Sequence, residues 1–225
     1  MIRKYLMLGA AAAMPLGFIA ATSGIAGASG PTYNVATDHI TCTTVTGSAK
    51  FSPALQLGGS SPETTSIKLA LSGCTISGPV GTPDITAITG KGAGTLNSAT
   101  NNALALEGTN AVTGSITIKW KAVGAKLLSA TSTVSPSSLT GGAQSDGYAS
   151  FALNSGSASV SGDFAGTNSG ATSNLYVETV QTTAALTTEI TPGPPPKNKP
   201  AKGIKAIGLT GGNPGETTPT QLTLS

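Results

Sequence analysis

Two segments, Ile40-Thr-Cys-Thr-Thr-Val-Thr-Gly-Ser-Ala-Lys-Phe51 and Thr65-Ser-Ile-Lys-Leu-Ala-Leu-Ser-Gly-Cys74, decide how this chain is read. In the second, Ile67, Leu69 and Leu71 share one face, and Ser66, Lys68, Ala70 and Ser72 share the other. A period of two marks a half-buried strand. Gly58, Gly59, Ser60, Ser61 and Pro62 break the chain between the segments. Cys42 and Cys74 are the only cysteines and lie near the outer ends of the two arms. Antiparallel pairing brings such ends together, so the stretch predicts a β-hairpin closed by a Cys42–Cys74 disulfide. Closing a loop of this length is worth roughly 3–4 kcal/mol in the chain-entropy model.

Further strands follow at short intervals. Ile85, Ala87 and Thr89 alternate with Thr86, Ile88 and Gly90, giving a third strand that continues towards Leu96. Thr113-Gly-Ser-Ile-Thr-Ile-Lys-Trp-Lys-Ala122 is the clearest of all: Ile116, Ile118 and Trp120 point one way, Thr117, Lys119 and Lys121 the other. Lys126 to Val134, Tyr148 to Leu153, Ala158 to Phe164 and Leu175 to Val180 read as more strands, and residues 181–189 as one short helix. The expected fold is all-β: a single antiparallel β-sandwich domain of about 8–10 short strands.

Arg3 and Lys4 precede an Ala-rich apolar run, Leu6 to Ala21, and Ala26-Gly27-Ala28 follows with small residues. This is the pattern of a secretory signal peptide over residues 1–28. The β-sandwich is expected over residues 29–191. Residues 192–200, with Pro192, Pro194, Pro195, Pro196, Pro200, Lys197 and Lys199, read as a stiff loop or linker. Residues 201–225 are expected to return as edge strands of the same domain. No transmembrane segment remains after signal removal, and an exported chain suits a disulfide.

Only 9% of the 225 residues are charged, and the formal net charge is +3. Without Arg3 and Lys4, ten basic and nine acidic residues remain. That near balance gives no footprint for nucleic acid.

At the Cys42 arm, at Leu71-Ser-Gly-Cys-Thr75 and at Gly114-Ser-Ile-Thr-Ile-Lys-Trp-Lys121, the chain resembles a family of secreted β-rich proteins of actinomycetes. The resemblance extends from the signal peptide through Phe164 and weakly into Lys202-Gly-Ile-Lys-Ala-Ile207. It implies a β architecture and an exported, envelope-associated protein, and it brings no catalytic residues. Relatives often carry a second cysteine pair, one member near the Asn101-Asn102-Ala103 turn; this chain has Ala103 there.

Chemistry-bearing residues are sparse. His39 is the only histidine and follows Asp38. A Ser-His-Asp hydrolase needs a strand-turn-helix nucleophile setting, which is absent. Asp84, Glu107, Asp146, Asp163 and Glu178 are the carboxylates a glycosidase would draw on, but they stand singly at turns and strand ends. Gly90-Lys91-Gly92-Ala93-Gly94 reads as a bulged strand or loop, since a phosphate loop would need a Lys-Ser/Thr pair and a following helix. No metal or cofactor site is indicated: the cysteines are allocated and one histidine remains. Trp120 and Tyr148 are the residues a ligand could stack on; for Trp120 the alternation favours the core. The expected function is a secreted, non-catalytic structural or interaction protein of the envelope or extracellular space, its partner a cell-wall component or another envelope protein. The alternatives are a carbohydrate- or lipid-binding module and, further off, a hydrolase. An envelope pore is set aside because aromatics are few and the strands look short.

Overall fold

The computed structural model describes residues 30–56, 58–102, 108–143, 148–167, 170–178, 203–210 and 221–225. The signal peptide expected at 1–28, the helix expected at 181–189 and the proline-rich segment 192–200 lie outside the described residues.

The predicted hairpin is the longest feature. Strand β2 (His39–Leu55) pairs antiparallel with β3 (Glu63–Ser77) in one unbroken register from His39↔Ser77 to Ser52↔Thr64. Cys42 lies directly opposite Cys74, and the two are disulfide-bonded. Next to the bridge, Gly73 takes φ 61°, a left-handed conformation that glycine adopts without steric cost. The buried side changes parity there on both strands. Ile40 and Cys42 are buried before it on β2, and Val45 and Ala49 after it.

The chain then meanders. Strand β4 (Ala87–Ser98) pairs with β3, and β5 (Thr109–Val123) pairs with β4. Strands β7 (Thr131–Pro136) and β8 (Ser138–Ala143) lie consecutively along β5. Strand β9 (Tyr148–Leu153) pairs with β8, and β10 (Ala158–Gly162) with β7. Strand β11 (Ala171–Glu178) pairs with β9. Finally β12 (Ile204–Thr210) and β13 (Gln221–Leu224) each pair with both β11 and β2. The pairings therefore run round in a ring: the two layers expected from sequence are opposite walls of one antiparallel sheet. Such an up-and-down barrel leaves few unpaired strand edges. A separate parallel pair, β1 (Thr32–Tyr33) with β6 (Lys126–Leu127), lies beside it.

Three expectations change. Residues 204–210 and 221–224 are not edge strands; they sit between β2 and β11 and close the barrel, the two short segments sharing one place in the ring. The Gly90–Gly94 run is neither loop nor bulge: it keeps continuous register with both neighbours. The strands of the hairpin and of β4 and β5 are not short, at 17, 15, 12 and 15 residues. Length is thus no argument against a pore. Side-chain direction is: Ile116, Ile118, Leu69 and Leu71 face inward, while Lys68, Lys91, Lys119 and Lys121 are exposed. Membrane barrels carry the reverse pattern, apolar outward. No helix among the described residues is long and apolar enough to cross a membrane.

Inward residues stack in layers across the walls. One layer is Val45, Leu71, Gly90 and Trp120; the next is Gly47, Leu69, Gly92, Ile118 and Ser132; the next is Ala49, Ile67, Gly94, Ile116 and Val134. Trp120, 6% exposed, packs edge-to-face on Phe164 with ring centroids 5.3 Å apart. Its Nε1–H donates to Ser132 Oγ at 2.8 Å, and the Ser132 hydroxyl donates to the Asp163 carbonyl. With Val35, Ile40 and Leu224, all fully buried, this cluster fills one end of the barrel.

Candidate functional site

The other end is not filled. Side chains of the upper layers enclose a partly open cavity of about 130 Å³. One sequence feature helps to leave it open. The inward position of β2 in the same layer as Ile67 is the small Ala49, which lines the cavity. Beneath Trp120 the missing side chain at Gly90 admits the indole. At Gly92 the Leu69 and Ile116 side chains close over the backbone, and at Gly94 the β5 backbone at Ser115 comes too near for any side chain. An eight-stranded barrel has an interior that side chains can just fill, or that can hold one small ligand.

The walls are apolar: Leu69, Leu96, Ile116, Ile118, Val134 and Leu153 are buried around the cavity. Polar groups gather at the rim, around residues 58–62 and 99–102. Asn101 ties these together. Its side-chain amide donates to Ala54 O at 2.9 Å, its Oδ1 accepts Ser61 N–H at 3.1 Å, and its carbonyl accepts Gln56 N–H at 2.8 Å. Asn102 Oδ1 accepts Gly58 N–H at 3.2 Å.

Among the described residues, one carboxylate reaches the cavity. Glu63, 5% exposed, opens β3 and lines the pocket with Thr65. The Thr65 hydroxyl lies 2.9 and 3.0 Å from its two oxygens. Burial holds the Glu63 carboxyl above its usual range, and hydrogen bonds from Thr65 and the Ser52 backbone pull it part of the way back. A buried acid with a raised pKa, seated in an apolar pocket, is a candidate binding group. Sequence reading passed over Glu63, although it lies in phase with Thr65, Ile67, Leu69 and Leu71. Extending that alternation by two steps would have placed it inside.

The residues singled out from sequence fall elsewhere. Trp120 is in the core and offers no face to an external ligand, so its stacking role is withdrawn. The side chain of Tyr148 is outside the described residues. Asp38 is fully buried and accepts the Val80 N–H at 3.1 Å, while His39 begins β2 opposite Ser77. Asp84 accepts the Tyr33 hydroxyl at 2.6 Å. Asp163 is buried beside the tryptophan cluster; burial raises its pKa, and hydrogen bonds from Ser129, Ala130 and Thr131 work in the opposite direction. Asp38, Asp84 and Asp163 are thus held on separate elements and none lines the cavity. Glu107, Asp146 and the side chain of Glu178 are outside the described residues. Among the described residues no group of three potential metal ligands forms.

No protein-family model, curated protein or solved structure matches this chain.

Proposed function

We propose that the protein is an exported, non-catalytic binding barrel that holds a small apolar group inside its wall. The observation that carries this reading is the unfilled, apolar interior lined by Ala49, Leu69, Ile116 and Leu153, with Glu63 at its rim. A dry cavity of this order accepts a molecule the size of a single aromatic ring. The ligand is therefore an aromatic ring or a short alkyl chain, and a hydroxyl on it would reach Glu63 and Thr65. This favours the lipid side of the carbohydrate-or-lipid alternative. The disulfide supports export, because such bonds persist in oxidising compartments. An envelope or extracellular setting accords with it.

The test is a titration with straight-chain alcohols from butanol to dodecanol, followed by NMR chemical shifts of the purified protein. Saturable binding that tightens with chain length and then levels off supports the reading. Ala49→Leu, which grows into the cavity, should abolish it while leaving the fold intact. Shifts that never saturate, or that survive Ala49→Leu, would remove the cavity from consideration.

A further inference from the structure

We propose that the outer face of β2–β5 binds a linear acidic glycan along a track of five lysines, Lys50, Lys68, Lys91, Lys119 and Lys121. The near balance of ten bases and nine acids conceals how the fold sorts them. All seven lysines with described side chains are exposed. Of the acids with described side chains, Asp38, Glu63 and Asp163 are buried, and exposed Asp84 is engaged by Tyr33. Among the described residues, folding draws three of four carboxylates inside and leaves the ammonium groups outside.

The register then lines them up. Lys50 pairs with Ser66 and Lys68 with Ser48, so the two lysines are diagonal neighbours. Lys68 pairs with Ala93 and Lys91 with Ala70, another diagonal step. Lys91 is directly opposite Lys119, and Lys121 follows two residues along the same strand. Diagonal neighbours are roughly 7–8 Å apart and direct ones about 5 Å. No Asp or Glu occupies an outward position of β2–β5. Like charges directly opposite one another oppose sheet pairing, and the Lys91–Lys119 pair has no carboxylate on this face to relieve it. A bound polyanion would.

The shape selects the occupant. A depression of about 380 Å³ lies on the track, bounded by Ser48, Lys50, Ser66, Lys68, Ala93 and Thr95. Its small side chains let a chain lie close, and the serine and threonine hydroxyls match sugar hydroxyls. The wall of a barrel is convex, and a single diagonal line of charge suits a linear polymer better than a planar membrane. Single-stranded nucleic acid would need aromatic platforms. The two aromatic side chains of these strands, Phe51 and Trp120, line the cavity and fill the core instead.

The experiment measures binding of size-defined heparin and polygalacturonate oligosaccharides to the whole protein across a salt series. These probes carry the charge as sulfate and as carboxylate, and either one binding meets the expectation. Affinity should fall steeply with salt, as ion-pairing with a polyanion requires. The combined Lys68→Gln, Lys91→Gln, Lys119→Gln variant should bind at least about tenfold more weakly. Thr117→Glu, which keeps every lysine but sets a carboxylate beside Lys119, should also lose binding. Lys126→Gln, away from the track, should change affinity less than twofold. The proposal is overturned if neither glycan binds, or if Lys126→Gln weakens binding as much as the triple variant. It is equally overturned if single-stranded DNA or anionic phosphatidylglycerol vesicles bind more tightly than the glycans at equal salt.

Discussion

A methyl group added at Gly90 should be harmful only while Trp120 is present. Gly90 lies opposite Trp120 in the ladder, and a Cβ there would sit 2.7 Å from the indole Cζ3 and 2.9 Å from Cε3. The third near atom, Leu71 Cδ1 at 3.0 Å, is the free end of a flexible side chain. Overpacking of this kind costs about 1–3 kcal/mol. Against it stands the roughly 0.5–1 kcal/mol by which alanine is preferred to glycine within a strand. Gly90→Ala should therefore destabilise by about 1–2 kcal/mol. Trp120→Ala should cost about 3–5 kcal/mol, because it removes the contact with Phe164 and leaves Ser132 without its indole donor. In the Trp120→Ala background the clash has no partner, so Gly90→Ala should become neutral or stabilising. A double-mutant cycle by urea unfolding, followed by far-ultraviolet circular dichroism because the lone tryptophan is gone, should return a coupling of about 1–3 kcal/mol. Additivity of the two substitutions within about 0.5 kcal/mol would show that the β4–β5 register is wrong.

Replacing Cys42 and Cys74 together with serine should cost about 2–5 kcal/mol, read as a lower urea midpoint; an unchanged midpoint would mean the bridge contributes nothing. Glu63 and Asp163 both have folded pKa values raised above their ordinary ones. The folded state thus holds protons that the unfolded chain has released, so their contribution is fully present below the ordinary carboxylate range and is lost as pH rises through the raised values. Glu63→Gln should accordingly raise the melting temperature more at pH 7 than at pH 4, and a shift of equal size at both would refute a raised pKa at Glu63. Lys119→Thr removes the like-charge pair with Lys91 and should stabilise the barrel by about 0.2–1 kcal/mol in low salt, a gain that 1 M salt should erase by screening.

Glu63 and Ala49 mark how far the site was readable. The position of Glu63 inside the wall follows from the same alternation that places Leu69, so the signal was local and present. The cavity is different. A small residue such as Ala49 is compatible with a tightly packed or an open interior, and nothing within its segment chooses between them.

The sequence by itself determined the hairpin, the partner of each cysteine and the inward face of β5, because a strand's two-residue period and a covalent pairing of only two sulfurs are local properties. Only the tertiary structure decided that the sheet closes on itself, that β12 and β13 lie between β2 and β11, and that the lysines of four strands fall into one line. Those outcomes depend on the register between segments distant in the chain. Register is set by which inward side chains fit together across the barrel, and that is not a property of any single stretch.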